Sequence, residues 1–359
     1  MSKAGSTGRR PTLATLAADL GIARSTVSNA YNRPDQLSAD LRERILTRAK
    51  ELSYPGPNRA ARRLTDTSLT TVGVMFSERF TYPFVDAAAR EFLKGLGTIA
   101  ERHQIGVLLI PAPVRGPTAR NAIETAVLDA LVVYSMPDED EVLTAALDRH
   151  VPTVIVDQPR LPGFALVGID DRSGASSIME HVIGLGHTRI AVATWRLGRD
   201  ARAGVADRER QDHAIYAIAR ERLAGYRDAV EAAGMDWSAV LVHERPEHTY
   251  EDGVASGREI LTRDDRPSVV VAFSDVLAAG VIDAARELGL RVPEDLSVVG
   301  FDDSELAAAY SLTTVHQPLK AKGEQVGHLL IDTWSTEDEP TNVFLPVNLV
   351  TRGSATPPA

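Results

Sequence analysis

The chain has 359 residues, 44% of them hydrophobic, a formal net charge of −10 and no cysteine. That length is enough for two or three domains with sizeable cores, and the missing thiols exclude disulfides, thiolate metal sites and a cysteine nucleophile, in keeping with a reducing compartment. No stretch approaches the roughly 18 apolar residues of a membrane span, and the opening MSKAGSTGRR is polar and basic with no apolar signal core behind it. A cytoplasmic protein with no membrane association is therefore expected.

Residues 1–10 read as a disordered arm. Leu13, Leu16, Ala17 and Leu20 then fall at i, i+3, i+4 and i+7, the apolar stripe of a short helix that ends at Gly21. A second helix follows at once. Its Val27 and Ala30 can close onto the first, while Arg24, Ser25, Thr26, Ser28, Asn29 and Asn32 form a row of hydrogen-bonding side chains. Two helices joined by so short a turn describe a helix-turn-helix, whose second helix enters the DNA major groove; a surface αα-hairpin would share the pattern. Leu41, Ile45, Ala49 and Leu52 add a third amphipathic helix, with Ser38 as its N-cap and Asp40 in its first turn. Residues 1–64 carry twelve Lys/Arg against five Asp/Glu, a net of +7, whereas residues 65–359 carry 27 against 44, a net of −17. A basic head on an acidic body is the footprint of one DNA-contacting domain joined to a domain with another task.

Residues 12–64 resemble the DNA-binding head of the LacI/GalR family of bacterial repressors, through TLATLAADLGIARSTVSNAYN, RPDQLSADLRERILTRAKELSY and NRAARRL. The resemblance implies operator contacts from Thr12, Arg24, Ser25, Thr26, Ser28, Asn29 and Asn32. It implies a helix-turn-helix domain over 11–54 and a hinge helix with linker over 55–70. In the hinge, YPGPNRAARRL, two prolines stop the third helix and Asn58 can cap a short basic one. The family's matching segment orders on the operator and drives a Leu between base steps of the minor groove. Leu64 takes that role here, with Asn58 beside it and Arg59, Arg62 and Arg63 on backbone phosphates. Three departures stand out. Asn29 occupies a position where relatives often read guanine with Arg, and it suits adenine better. Ala23 replaces the usual Ser/Thr cap, at a cost of about 1 kcal/mol, and the Pro-Gly-Pro turn carries one extra residue.

Beyond the polar linker TDTSLT, apolar runs alternate with helical patterns. Thr71–Phe76, Ile105–Ile110, Ala130–Tyr134 and Thr153–Val156 read as buried strands, and the alternation repeats at Ile190–Thr194, Ser238–Val242, Val269–Phe273 and Ser297–Phe301. Helices fall near 174–185, 220–233, 251–262 and 275–288. The fold class is α/β: parallel sheets in two lobes, with ligand held at the carboxyl ends of strands. DRSGASSIMEHVIGLGHTRIAV, ERLAGYRDAVEAAG, AFSDVLAAGVIDAARELGLRVPEDLSVVGFDD and LTTVHQP extend the resemblance to the family's effector domain, a type I periplasmic-binding-protein-like body over 71–359. Lobe 1 is expected at about 71–165 and 319–345, lobe 2 at about 166–317 and 347–355.

The matching places Asp157, Arg222 and Asp275 against a small-molecule effector of the sugar or nucleoside class, with Ser135, Phe84 and Gln317 as further candidates. Carboxylates accept from hydroxyls or ring N–H groups and an Arg fork donates to vicinal oxygens, as a polar-ligand pocket requires. Phe84 stands where relatives place an aromatic against the ligand, although a core residue would look the same. Asp302 and Asp303 read as caps of the short helix after GFDD. The charged stretch 195–221 is read either as a pocket wall, through Trp195 and Tyr216, or as a solvated excursion. No enzyme signature is found. HERPEH at 243–248 has its second His one position late for a zinc protease helix and a Pro in between, and phosphate-loop and GxSxG motifs are absent. No catalytic residue, metal or cofactor is assigned; a solute-binding protein or a sugar- or nucleoside-processing enzyme on the same body is the alternative. LVTRGSATPPA offers no Leu heptad, so the expected partners are operator DNA, an effector and a second copy in a homodimer.

Overall fold

The computed structural model describes residues 13–32, 37–52, 69–113, 120–335 and 340–359, which divide into two compact units, 1–68 and 69–359. In the first unit, α1 (Leu13–Leu20), α2 (Arg24–Asn32) and α3 (Ala39–Glu51) close around Leu16, Ala17, Val27, Ala30, Ile45 and Ala49. Gly21, at φ +65°, turns the chain between α1 and α2 in the left-handed region that a Cβ would disfavour. The Ile22 N–H then donates to the Ala17 carbonyl at 3.0 Å. Ser38 caps α3 by accepting from the Leu41 N–H at 3.4 Å. Arg48 ties α3 back to α1 through a fork onto Asp19, at 2.6 and 3.0 Å.

The second unit opens with β1 (Thr71–Phe76), α4 (Tyr82–Val85), α5 (Ala87–Arg102), β2 (Gly106–Pro111), α6 (Arg120–Thr125), β3 (Ala130–Tyr134), α7 (Glu141–Leu147), β4 (Thr153–Val156) and β5 (Ala165–Ile169). It continues with α8 (Asp171–Gly184), β6 (Ile190–Thr194), β7 (Gly204–Val205), α9 (Arg208–Asp212), α10 (Ala217–Ala232), β8 (Leu241–Glu244), α11 (Tyr250–Leu261), β9 (Val269–Ala272), α12 (Asp275–Glu287), β10 (Ser297–Val299), α13 (Glu305–Ala309) and β11 (Thr314–His316). It closes with α14 (Leu319–Ser335), β12 (Asn342–Leu345) and β13 (Asn348–Val350). One sheet runs β12-β5-β4-β3-β1-β2, all parallel; the other runs β10-β9-β6-β8-β7, with β7 alone antiparallel.

Both faces of the inner strands β1, β3, β4 and β5 are buried, which explains their unbroken apolar runs. Val72 and Val74 of β1 join Val132 and Val154 on one face, while Met75 joins Leu131, Val133 and Ile155 on the other. Two of the covering helices, α5 and α14, pack on each other so closely that a Cβ on Gly323 would stand 2.0 Å from the Phe92 carbonyl oxygen, and one on Gly95 1.9 Å from that of Lys320. In the second lobe the pairs α8/α10 and α11/α12 meet the same way, at Gly225 and at Gly253 with Gly280.

Three readings are corrected. Ser238–Val242 is not one strand: Trp237–Ala239 forms a 3-10 turn capped by Asp236, and the strand is Leu241–Glu244. Ala165–Ile169, at the expected lobe boundary near 165 and not expected as a strand, is a buried strand of the first sheet, so the chain enters lobe 2 after Ile169. The short β12 and β13, which the sequence does not predict, are edge pieces without a sustained apolar run. Among the described residues no helix is long and apolar enough to cross a membrane.

Candidate functional site

The carboxyl ends of the two sheets face each other across a cavity of about 100 Å³. Five strand ends deliver polar groups: Ser77 and Glu78 after β1, Ser135 after β3, Asp157 and Gln158 after β4, Arg196 after β6, and Asp302 after β10. Asp171 at the start of α8, Arg222 on α10, His248 before α11 and Gln317 after β11 complete the polar wall, with Phe76, Tyr82, Tyr134, Trp195 and Tyr216 as its aromatic part. Ser135, Asp157 and Asp302 hold φ of +50°, +62° and +117°. Left-handed backbone at three non-glycine lining residues is the kind of strain that collects where a ligand is held.

Of the residues expected at an effector, Asp157, Arg222, Ser135 and Gln317 line this cavity. Arg222 is buried; its Nε donates to Asp171 Oδ1 at 2.8 Å, its Nη1 donates to the Phe273 carbonyl, and its guanidinium stacks 3.6 Å from the Phe301 ring centroid. Asp157 Oδ1 accepts from Lys322 Nζ at 2.7 Å, and the same ammonium donates to Gln317 Oε1 at 2.8 Å. Ser135 Oγ accepts from Gln158 Nε2 at 3.3 Å, and Gln158 Oε1 in turn takes the backbone N–H of Ile218 at 2.8 Å.

Two expected residues stand elsewhere. Asp275 is absent from the cavity wall: Oδ1 accepts from Thr314 Oγ1 and Oδ2 from the Ser304 N–H, both at 2.7 Å, so its carboxylate braces the start of α12 against β11 and the loop after β10. Burial pushes its pKa up to about 6. Phe84 is 58% exposed and contacts Phe80 at 5.7 Å between ring centroids; the aromatic of the YPF run that lines the cavity is Tyr82. The capping role read for Asp302 and Asp303 is also corrected. Ser304 holds the cap position of α13, Asp303 pairs with Arg352 at 2.6 Å and His316 at 2.9 Å, and Asp302 faces the cavity. Burial drives Asp302 well above the ordinary carboxylate range, with Arg222 pulling the other way.

The stretch 195–221 is folded and supplies part of the wall. Arg210 forks onto the buried Glu244 at 3.0 and 2.7 Å, which fixes β7 and α9 against β8. Trp195 packs edge-on to Phe273 and against His248, each at 4.9 Å. Arg196, 4% exposed, bridges the lobes: it bonds Glu78 on one side, and Glu247 at 3.1 Å and the Tyr216 hydroxyl at 3.2 Å on the other. Arg199 and Arg220 make further cross-lobe pairs with Asp140 and Asp138.

In the head, Arg24 and Ser25 on α2 are exposed and Thr26, Ser28 and Asn29 are half-buried, opposite the buried Val27 and Ala30. Thr12, Asn58, Arg59, Arg62, Arg63 and Leu64 lie outside the described residues, as does the side chain of Asn32.

A family described as a periplasmic binding protein-like domain matches residues 179–355. An HTH-type transcriptional regulator of Mycolicibacterium smegmatis is 43% identical over 333 residues, covering 90% of either chain. A solved LacI-family transcriptional regulator from Corynebacterium glutamicum superposes with a TM-score of 0.74 at 32% identity, covering 98% of this chain and 100% of the other. The chain belongs to the LacI/GalR family of transcriptional regulators. The transcriptional regulator CelR, solved with cellobiose, superposes on this LacI-family chain with a TM-score of 0.69 at 28% identity, covering 96% of it and 100% of CelR. Family membership makes this a ligand-responsive DNA-binding regulator. It does not by itself point to Arg196 or His248, which the sequence reading left out. His248 lies in HERPEH, whose spacing speaks only to zinc, and Arg196 follows a Trp in a charged segment open to two readings.

Proposed function

We propose that the protein is a cytoplasmic, homodimeric repressor whose operator affinity is set by a neutral polyhydroxylated small molecule, a sugar or nucleoside, held between the lobes. One observation carries the choice of ligand: the buried cations around the cavity are already matched by the protein's own carboxylates. Arg222 is paired with Asp171, Arg196 with Glu78 and Glu247, and Lys322 with Asp157. Among the described residues the wall offers no surplus positive charge, so burying a phosphate or carboxylate there would be costly. It does offer acceptors on Asp157 and Asp302, a hydroxyl on Ser135 and the rings of Tyr82 and Trp195, a set that suits hydroxyl groups and the apolar face of a sugar. CelR, whose complex carries cellobiose, supports the same class.

The polar row Arg24, Ser25, Thr26, Ser28 and Asn29 on α2 is assigned to base edges in the major groove, and Leu64 with Arg59, Arg62 and Arg63 to the minor groove and backbone. Two heads in a homodimer then read a pseudo-palindrome. The lobes are joined by three crossovers, after Ile169, between His316 and Leu319, and between Leu345 and Asn348. A ligand that binds one arrangement of the lobes better shifts their equilibrium by that difference in affinity and no more.

The cavity is assigned to sensing and not to catalysis. His248 Nε2 lies 2.7 Å from Ser274 Oγ, which could suggest a hydrolytic triad, but Asp86 is 3.7 Å from Nδ1 and Ser274 is 1% exposed with its Oγ accepting from the Leu277 N–H. Ser274 is also not among the residues that line the cavity. The test is a thermal-shift panel of sugars, nucleosides and their phosphates, followed by gel shift of genomic fragments with each hit. A neutral hit that raises the melting temperature by mass action and changes the affinity of one DNA fragment is expected. Stabilisation by phosphorylated compounds alone would overturn the ligand class, and no preference for any fragment over random competitor would overturn the DNA reading.

A further inference from the structure

Lys322 is a fully buried lysine, 1% exposed, on a helix whose neighbouring Gly323 lies against the Phe92 carbonyl. Its backbone is therefore clamped to lobe 1, and its ammonium has little freedom to wander. That ammonium donates to Asp157 Oδ1 on lobe 1 and to Gln317 Oε1 across the crossover into lobe 2. Gln317 Nε2 then donates to Asp302 Oδ1 at 2.6 Å. The polarity of this chain is chemically forced. An ammonium has no acceptor, so the amide oxygen must face it and the amide NH2 must face Asp302; the flipped amide would set N–H against N–H.

We infer that Lys322 is a positioning residue of the cleft: by fixing Asp157 directly and Asp302 through the amide of Gln317, it sets where each lobe presents its carboxylate to the ligand. Among the described residues neither carboxylate has a protein hydrogen bond on Oδ2, so one oxygen of each remains for the cavity. The two acceptors belong to different lobes, and one buried charge at the crossover sets both. Selectivity for a ligand then depends on a side chain that need not touch it. Such an arrangement also couples the lobes, because a movement at the crossover that separates Lys322 from Gln317 frees the amide to turn and withdraws the donor from Asp302.

The bland alternative is that Lys322 merely neutralises Asp157. The full-length chain, K322M, and the double variant D157N/K322M separate the two. Removing both charges of a buried pair restores much of the stability that removing one destroys, so the double variant stays measurable if K322M does not fold. The first readout is the side-chain amide of Gln317, located by its loss from the spectrum of Q317L. In the parent it is expected as two displaced resonances with slow hydrogen exchange. In the double variant they are expected to collapse to the positions of a mobile, exchanging amide. A locked amide in the double variant would overturn the inference, and it would do so without any ligand.

The second readout rests on the proposed effector cleft and uses glucose, cellobiose, ribose and adenosine as probes. For whichever of them binds the parent chain, the double variant is expected to bind about 10- to 100-fold more weakly than D157N, which lacks the same ligand acceptor but keeps Lys322, although its melting temperature has recovered. An affinity equal to that of D157N would overturn the positioning role. If the parent binds none of the four, that counts against the proposed effector class, and the amide spectrum still decides the role of Lys322.

Discussion

Replacing Arg222 by Met keeps most of the stem and deletes the guanidinium. The change removes the 2.8 Å bond to Asp171, the bond to the Phe273 carbonyl and the stacking on Phe301. Arg222 and Asp171 are 4% and 5% exposed, so water does not step in. Leaving one partner of a buried pair uncompensated costs roughly 3–5 kcal/mol, and the lost cation–π contact belongs to the same total. The penalty must depend on pH. Burial already pushes Asp171 above the ordinary carboxylate value while Arg222 pulls it back, and without Arg222 it rises further. A carboxyl whose folded pKa exceeds its unfolded one contributes stability while protonated and loses it as pH rises through the folded value. The deficit of R222M should therefore be largest near pH 8 and shrink toward pH 5. Urea unfolding of the parent, R222M and D171N/R222M across that range measures it, with the double variant expected to recover most of the loss. A deficit that stays flat from pH 5 to 8, or falls below about 1 kcal/mol at pH 8, refutes the reasoning.

Other substitutions test the remaining parts of the site and fold. Tyr82→Ala should abolish the ligand-induced thermal shift while Phe84→Ala leaves it intact, because Tyr82 alone of the two lines the cavity; equal effects in a ligand titration would contradict that placement. Ile45→Ala removes a fully buried side chain from a six-residue core. At about 2–5 kcal/mol it should unfold a head this small, so gel shifts lose operator binding while the body's thermal transition stays put. Gly323→Ala sets a Cβ against the backbone of Phe92, and should lower the unfolding free energy of the body by about 1–3 kcal/mol or more; a variant as stable as the parent in urea would mean that α5 and α14 have slack.

The elements legible in the sequence are those with a sustained periodicity. The 3.6-residue stripe of Leu13, Leu16, Ala17 and Leu20 and the run TVIV at 153–156 signal their own burial, and both elements lie where that pattern puts them. Periodicity is silent about direction at a strand end. Asp275 and Asp302 both follow apolar strands, yet one is spent on Thr314 and Ser304 while the other, turned by a φ of +117°, meets the cavity. Phe84 and Tyr82 are two residues apart on a four-residue helix, where the side that faces inward depends on how Pro83 packs. Lys322 is hidden for a different reason: a lysine in a run reading LKAKGE looks like a solvated helix face until a carboxylate from 165 residues away is found beside it.

The side-chain-free crossings at Gly323, Gly225 and Gly280 bear on how a signal travels. Helices that touch through their backbones have no rotamers to absorb a displacement, so each lobe behaves as a braced block and compliance concentrates in the three crossovers. A displacement of a fraction of an ångström at the cavity is then enlarged in proportion to distance from the pivot, as with any stiff arm. Amide exchange should show it: slow at Phe92–Leu96 and Gly323–Gly327, faster at 317–319 and 345–348. A uniform profile would mean that the arm bends.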